Sequence, residues 1–216
     1  MDPYKTGFIE LMAQSGVLLF GDFTTKAGRQ SPYFINTGLY RTGAQAEPLS
    51  AYYARLIQDK LAGQYDALFG PAYKGIPLCV LAAAALWRLF GVDAGYCFNR
   101  KEAKDHGEGG HIVGAPLKGR VLIVDDVISA GTSVRESVEL IRQAGAAPAG
   151  VLIALDRQER GASELSAVQE VMRDYGIPVA AIAGLGDLMA YLGQHPEFAA
   201  HRASVARYRE QYGVDA

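Results

Sequence analysis

The chain of 216 residues is long enough for one sizeable core, and with half its residues hydrophobic and a fifth charged it has the make-up of an ordinary globular protein. Lys and Arg number 21 against 23 Asp and Glu, and the formal net charge of −2 argues against a nucleic-acid binder driven by bulk positive charge. Cys79 and Cys97 stand in apolar stretches without metal-ligand spacing, which reads as a buried, reduced pair in a cytoplasmic protein and not as a disulfide framework or a zinc site.

The opening stretch, MDPYKTGFIELMAQSG, is acidic and amphipathic, unlike a signal peptide, and places Tyr4, Phe8, Leu11 and Met12 on one helical face. VLLFGDFTT and SPYFINTG then predict two strands joined by the turn-rich KAGRQ. A helix is expected over about 47–61, ending at Gly63. From there strands and helices alternate: DALFG as a short strand, PAYKG as a loop, and 76–90 as a buried helix in which Trp87 reads as packing. The longest apolar run, IPLCVLAAAALW, is too short to cross a bilayer, so no membrane partner is expected.

AGYCFNR predicts another strand, followed by the polar KEAKDHGEGGH, whose glycines suit a lid over 101–111. Residues 120–124 predict a strand, 134–144 a helix, AGVLIAL a strand, SELSAVQEVMRDYG a helix and IPVAAIAG a last strand, with helical segments to the C-terminus. Apolar strands alternating with helices imply an α/β fold, a mainly parallel sheet flanked by helices. The N-terminal hairpin falls outside the alternation and is expected as a small flap or hood over the sheet edge. The organisation expected is a single domain over 1–216, with the helix and hairpin hood at about 1–45, the α/β core at about 46–185 and a C-terminal helical segment at about 186–216.

The most informative stretch is VLIVDDVISAGTS, at 121–133. Asp125 and Asp126 end a buried strand, although two like charges about 4 Å apart repel by roughly 4 kcal/mol at a partly buried site. Ligands of such sheets bind beyond the carboxyl ends of the strands. Gly131 permits a tight turn, and Ser133 with Glu136 has capping-box spacing ahead of the helical stripe Val134, Val138, Ile141. Backbone N–H groups at a positive helix end, with hydroxyls from Ser129, Thr132 and Ser133, make an anion site suited to phosphate. A phosphate next to two carboxylates suggests a sugar phosphate whose hydroxyls the carboxylates accept. The stretch is neither a Walker A loop nor a dinucleotide-binding glycine turn.

These thirteen residues resemble the phosphoribosyl pyrophosphate (PRPP) motif of the type I phosphoribosyltransferase family. That resemblance implies that Asp125 and Asp126 hold the ribose 2′- and 3′-hydroxyls, that Ser129, Ala130, Gly131, Thr132 and Ser133 hold the 5-phosphate, and that Val127 and Ile128 complete the PRPP contact. Three further stretches, FTTKAGRQSPYFINTG, YCFNRKEAKDHGEGG and ALDRQERG, are similar in order and spacing to the orotate phosphoribosyltransferase family. The resemblance implies transfer of ribose 5-phosphate from PRPP to orotate, a requirement for Mg²⁺ held mainly by PRPP and waters with no protein metal site, and a homodimer with shared active sites. It further implies catalytic roles for Lys26, Arg100, Lys101, Lys104, His106, Asp125 and Asp126. GPAYKG resembles the family's pyrophosphate loop, which implies PRPP contacts from Tyr73 and Lys74 beside those of Lys26, Arg100, Lys101, Lys104 and His106, and a strained backbone at Ala72–Tyr73. Orotate falls to Lys26, Phe34, Ile35, Ser129 and Arg157. Ile35 stands where the family often has a second aromatic residue, and Ser129 where Thr is usual.

The residue types agree with that chemistry. A departing pyrophosphate needs cations where charge develops, Phe34 offers an aromatic face to a flat base, and the Arg157 guanidinium suits a planar carboxylate. Two rival readings remain at this level: a phosphoribosyltransferase for another base, which would not need the Phe34 and Arg157 pair, and a PRPP-binding regulator, which would not need Lys101, Lys104 and His106. No basic helix-turn-helix segment accompanies the chain to support the regulator.

Overall fold

The computed structural model describes residues 2–25, 28–104, 110–128, 131–161 and 163–214, and for 101–104 and 110 the backbone alone. Among them is a six-stranded sheet built from β3 (Ala67–Gly70), β4 (Gly95–Lys104), β5 (Gly110–Gly114), β6 (Arg120–Val124), β7 (Ala147–Asp156) and β8 (Val179–Gly184) in the order β5-β4-β3-β6-β7-β8. Every neighbouring pair is parallel except β4 with β5. The polar 101–111 stretch, expected as a lid loop, thus lends its ends to a hairpin in which Lys104 pairs with Gly110. Main-chain hydrogen bonds at a sheet edge need no alternation of apolar side chains, so this strand carries little sequence signal.

Period-two alternation explains why the sheet is covered on both faces. Leu122 and Val124 of β6, with Leu152 and Ala154 of β7, join one apolar cluster; Val121 and Ile123, with Val151 and Ile153, join the other. The second cluster is closed by α4 (Thr132–Gln143) and α5 (Ala167–Tyr175) through Val134, Val138, Ile141 and Val171. The first is larger. It gathers α1 (Pro3–Gln14), α2 (Gly43–Leu61), α3 (Gly75–Phe90), α6 (Leu185–Gln194) and α7 (Ala199–Tyr212), together with the antiparallel hairpin of β1 (Leu18–Thr24) and β2 (Gln30–Ile35).

Helix α2 begins four residues before the predicted start, because Thr42 and Gln45 form a reciprocal capping box and the helix then runs through Pro48. Helix α5 begins only at Ala167, where Ser166 and Gln169 form another such box. The hairpin does not lie along the sheet edge as expected. It packs across the carboxyl ends of the central strands: Arg29 Nη1 donates to the Arg160 carbonyl at 2.7 Å, beyond β7, and Thr37, in the 3-10 turn Thr37–Leu39 that follows β2, reaches Asp126 beyond β6. Trp87 also departs from expectation. It is 63 % exposed on the outer face of α3, with Phe90 exposed close by on the helix, whereas Cys79 and Cys97 are buried and unpaired as expected. No helix among the described residues is long and apolar enough to cross a membrane.

Two glycines bring the 71–74 loop against the end of β6. A Cβ on Gly75 would stand 2.5 Å from Pro71 Cδ and 2.8 Å from the Val124 carbonyl oxygen, and one on Gly70 would stand within 2.7 Å of Gly75 backbone and Cys79. Gly75→Ala is therefore expected to cost about 1–3 kcal/mol through overpacking against backbone that cannot yield. Thermal unfolding should show it as a drop of about 2–4 °C in Tm per kcal/mol; an unchanged Tm would show that the loop shifts freely.

Candidate active site

Asp125 and Asp126 follow β6 directly and are each 6 % exposed. Main chain fixes them on both sides: the Asp125 N–H donates to the Leu152 carbonyl at 2.9 Å and the Ala154 N–H to the Asp126 carbonyl at 2.8 Å. From below, the buried Tyr53 hydroxyl donates to the Asp125 carbonyl at 2.9 Å. The two carboxylates have different partners. Asp125 Oδ1 accepts the Asp126 N–H at 2.9 Å and Oδ2 accepts Ser133 Oγ at 2.7 Å. Asp126 Oδ1 accepts the Val127 N–H at 2.7 Å, while Oδ2 takes both Thr37 Oγ1 at 2.6 Å and the Lys74 ammonium at 3.0 Å. Burial first, then the charge of Asp126, pushes the Asp125 carboxyl up to about 6.

The turn after the acidic pair leads into α4 through Gly131, whose φ of 70° is the left-handed conformation that glycine adopts without strain. The capping box expected from Ser133 and Glu136 does not form. The residue ahead of the helix is Gly131, without a side-chain cap, and the Ser133 hydroxyl serves Asp125 instead. The first N–H groups of α4, from Thr132 on, therefore open toward the acidic pair without a capping side chain, as an anion site requires. Ile128 is buried in the core under α4.

Across from that helix lies the 71–74 loop. Its Ala72–Tyr73 peptide bond is cis, and the Ala72 N–H donates to Asn99 Oδ1 at 2.8 Å, tying the loop to β4. Tyr73 is exposed, and Lys74 is half-exposed although paired with Asp126. A cleft of about 470 Å³ opens between Pro71, Ala72, Arg100 and His111 on one side and Ser133 and Glu136 on the other.

The hairpin leads, through Thr37 after β2, to the Asp126 side of the acidic pair. Alternation along β2 turns Phe34 outward, 41 % exposed and stacked on Phe23, and sends Ile35 into the core on the opposite face. Ile35, expected beside Phe34 at the base, thus contacts the interior. Arg157 lies just past β7 with its guanidinium 4.4 Å over the Tyr33 ring. Its Nε donates to Glu159 Oε1 at 2.9 Å, and its Nη2 lies 2.6 Å from the same oxygen and 3.2 Å from Ser31 Oγ.

Of the residues singled out in the sequence, Lys26, His106, Ser129 and Ala130 lie outside the described residues; Lys101 and Lys104 are placed by backbone on β4. Arg100 and Ser133 line the cleft, Ser133 also bonds Asp125, Lys74 and Val127 meet Asp126, and Gly131 and Thr132 begin α4; Tyr73 is exposed on the 71–74 loop, Phe34 is on the hairpin, and Arg157 reaches Ser31 of the hairpin. Sequence reasoning missed Thr37, Tyr53 and Asn99, each of which acts through a partner distant in the chain or through a main-chain atom; Glu159, which the sequence offers with Glu164 as an ion-pair partner for Arg157, does pair with it. Among the described residues no group of three or more His, Cys, Asp or Glu is arranged to hold a metal ion. The hard oxygen donors at the site are the two carboxylates, and Oδ2 of Asp126 is already engaged by a cation. This donor set suits Mg²⁺ shared with a ligand's oxygens and waters better than a cage made by protein alone.

Comparison with known proteins agrees with this geometry. The phosphoribosyl transferase domain family matches residues 39–179. The chain is 58 % identical over 214 residues to an orotate phosphoribosyltransferase of Cronobacter sakazakii, covering 99 % of this chain and 100 % of that one. It is 60 % identical over 215 residues to that of Chromobacterium violaceum, covering 100 % of both. The 1.9 Å crystal structure of orotate phosphoribosyltransferase from Francisella tularensis superposes with a TM-score of 0.85 at 40 % identity, covering 96 % of this chain and 100 % of that chain.

Proposed function

The chain belongs to the orotate phosphoribosyltransferase family, and from that premise we propose the following course for its reaction. The enzyme transfers ribose 5-phosphate from PRPP to N1 of orotate, giving orotidine 5′-monophosphate and diphosphate, a step of pyrimidine nucleotide synthesis. One observation carries the reading at the level of residues: a buried carboxylate pair stands immediately ahead of an uncapped helix N-terminus, with a lysine on one of its oxygens.

The 5-phosphate sits on the N–H groups and hydroxyls of 129–133, with Val127 and Ile128 completing the turn. The ribose hydroxyls donate to Asp125 and Asp126. As the C1′–O bond breaks and the N1–C1′ bond forms, positive charge develops on the ribose and negative charge on the departing pyrophosphate, and the proton lost from N1 passes to the pyrophosphate or to solvent. Tyr73, Lys74, Arg100, Lys101, Lys104 and Lys26 meet that pyrophosphate, and His106 adds a hydrogen bond or a proton. Asp125 and Asp126 would hold Mg²⁺ only through the ribose hydroxyls and waters, and the ion would supply charge neutralisation for the pyrophosphate. Phe34 offers its exposed face to the base, Lys26 and Ser129 meet the base's edge, and Arg157 pairs with the carboxylate. Ile35 supports Phe34 from the core side.

The same reading includes a homodimer in which the lid over 101–111 of one subunit serves the partner's site, and a cytoplasmic location. The exposed Trp87 and Phe90 of α3 and the exposed Tyr96 of β4 support the dimer, since large apolar side chains on a surface mark sites of association.

The deciding experiment is an absorbance assay with PRPP, Mg²⁺ and orotate, with uracil, adenine and hypoxanthine in parallel. Mg²⁺-dependent loss of the orotate signal alone is expected. Turnover of another base would keep the PRPP site and retire the Arg157 assignment. Tight PRPP binding with no turnover of any base would turn the reading to a regulator.

A further inference from the structure

We infer that Glu159 is a positioning residue that sets orotate specificity by locking the Arg157 guanidinium in one orientation; this rests on the reading of Arg157 as the partner of the orotate carboxylate. Glu159 lies two residues beyond Arg157, and both side chains are about 15 % exposed, at 14 % and 15 %. Four donor groups from three elements converge on its carboxylate. Oε1 faces Arg157 Nε at 2.9 Å and Nη2 at 2.6 Å, and accepts the Tyr33 hydroxyl at 3.1 Å; Oε2 accepts the Tyr208 hydroxyl at 3.1 Å. Tyr33 comes from β2 and Tyr208 from α7, so hairpin and C-terminal helix are tied to the loop after β7 through one acid. The backbone of Glu159 is fixed as well, bridging to Gly213.

A guanidinium presents two edges to planar anions, the Nε–Nη2 side and the Nη1–Nη2 end. Glu159 takes the side edge, and the Tyr33 ring beneath the plane blocks rotation out of it. The Tyr208 hydroxyl, which donates to Glu159, also hydrogen-bonds the guanidinium, and Nη2 turns its other hydrogen to Ser31 Oγ at 3.2 Å. The orientation of the guanidinium is thereby set before the ligand arrives. Preorganisation of this kind raises affinity by lowering the ordering cost of binding.

Glu159 also carries a negative charge into the neighbourhood of an anionic ligand. If charge outweighed orientation, its neutralisation would tighten orotate. The two accounts therefore predict opposite signs.

The test is steady-state kinetics on the full chain with orotate and PRPP varied independently, for Glu159→Gln, Arg157→Lys, the double variant and Tyr208→Phe. Glu159→Gln should raise KM for orotate by about tenfold, as for loss of a charge-assisted hydrogen bond, with kcat and KM for PRPP changed less than about twofold. Arg157→Lys should raise the orotate KM at least as much, because an ammonium lacks the fork, and adding Glu159→Gln to it should change nothing more. Tyr208→Phe, which removes one donor and leaves the ion pair, should give a smaller rise confined to orotate and keeps the inference testable should Glu159→Gln fold poorly. If Arg157→Lys weakens orotate and Glu159→Gln leaves it unchanged or tightens it, positioning by Glu159 is wrong and the assignment of Arg157 stands. If Arg157→Lys leaves orotate unchanged, the assignment of Arg157 fails and the inference fails with it. Equal rises in both KM values would make Glu159 a structural residue only.

Discussion

Replacing Lys104 by alanine is expected to lower kcat by about 10²–10³-fold while changing KM for PRPP by less than about tenfold. The asymmetry follows from where charge appears. PRPP is already highly charged in its ground state, but the bridging oxygen gains charge only as the C1′–O bond breaks, and a cation that acts there raises kcat more than affinity. Lys104 is the last residue of β4, paired with Gly110, and Arg100, four residues earlier, lines the cleft beside Pro71 and Ala72. Along a strand, four residues span about 13 Å, so Lys104 is carried well beyond the cleft of its own chain. That separation favours service to the site of a partner subunit. Mixing Lys104→Ala with Asp125→Asn under conditions that exchange subunits should then restore about a quarter of wild-type activity, because half of the dimers are hybrids with one complete site each. A mixture as inactive as its components would place each site within one chain. A wild-type rate for Lys104→Ala alone would remove that residue from catalysis.

The parts legible in the sequence were those whose signal is local. Val121 to Val124 form an unbroken apolar run because both faces of β6 are covered, and Gly131 announced a turn that only a left-handed residue makes cheaply. The carboxylate pair was conspicuous because packing alone would have selected against it. The illegible parts turn on choices between two partners. The Ser133 hydroxyl has a backbone N–H three residues on and a carboxylate eight residues back, and the fold settles it on the carboxylate. Thr37 meets Asp126 across 89 residues, and Tyr33 meets Glu159 across 126; nothing near either residue in the sequence foretells such a contact. Helix α2 was predicted too short, from about 47, because its start is set by the reciprocal Thr42–Gln45 cap, ahead of the apolar face that marks the helix in sequence. Trp87 was read as core because its neighbours are alanine and leucine, but helical periodicity turns it outward.

Asp125→Asn should make the protein more stable at pH 8 and much less active. In the unfolded chain Asp125 titrates near 3.8; in the fold, burial and then the charge of Asp126 raise it to about 6. Between those values the folded state binds more protons than the unfolded state, so the contribution of this carboxyl to stability is complete below about pH 4 and is lost as pH rises through 6. The loss is on the order of 3 kcal/mol at 1.36 kcal/mol per unit. Asparagine removes the charge and keeps the geometry: its carbonyl accepts the Asp126 N–H and its amide donates to the Ser133 hydroxyl, the two groups that Asp125 now bonds. Its melting temperature should exceed that of the wild type at pH 8, by about 2–4 °C per kcal/mol recovered, and the two curves should meet near pH 4. Activity should fall by about 10–100-fold in kcat/KM for PRPP, the cost of losing a charged acceptor for a ribose hydroxyl. Equal melting temperatures at pH 8 would mean that neither burial nor the neighbouring charge penalises the ionised Asp125 carboxyl, and the second carboxylate would then cost the fold nothing. A rise in stability together with the loss of turnover would show that the acidic pair is held against the preference of the fold, for the sake of the sugar it binds.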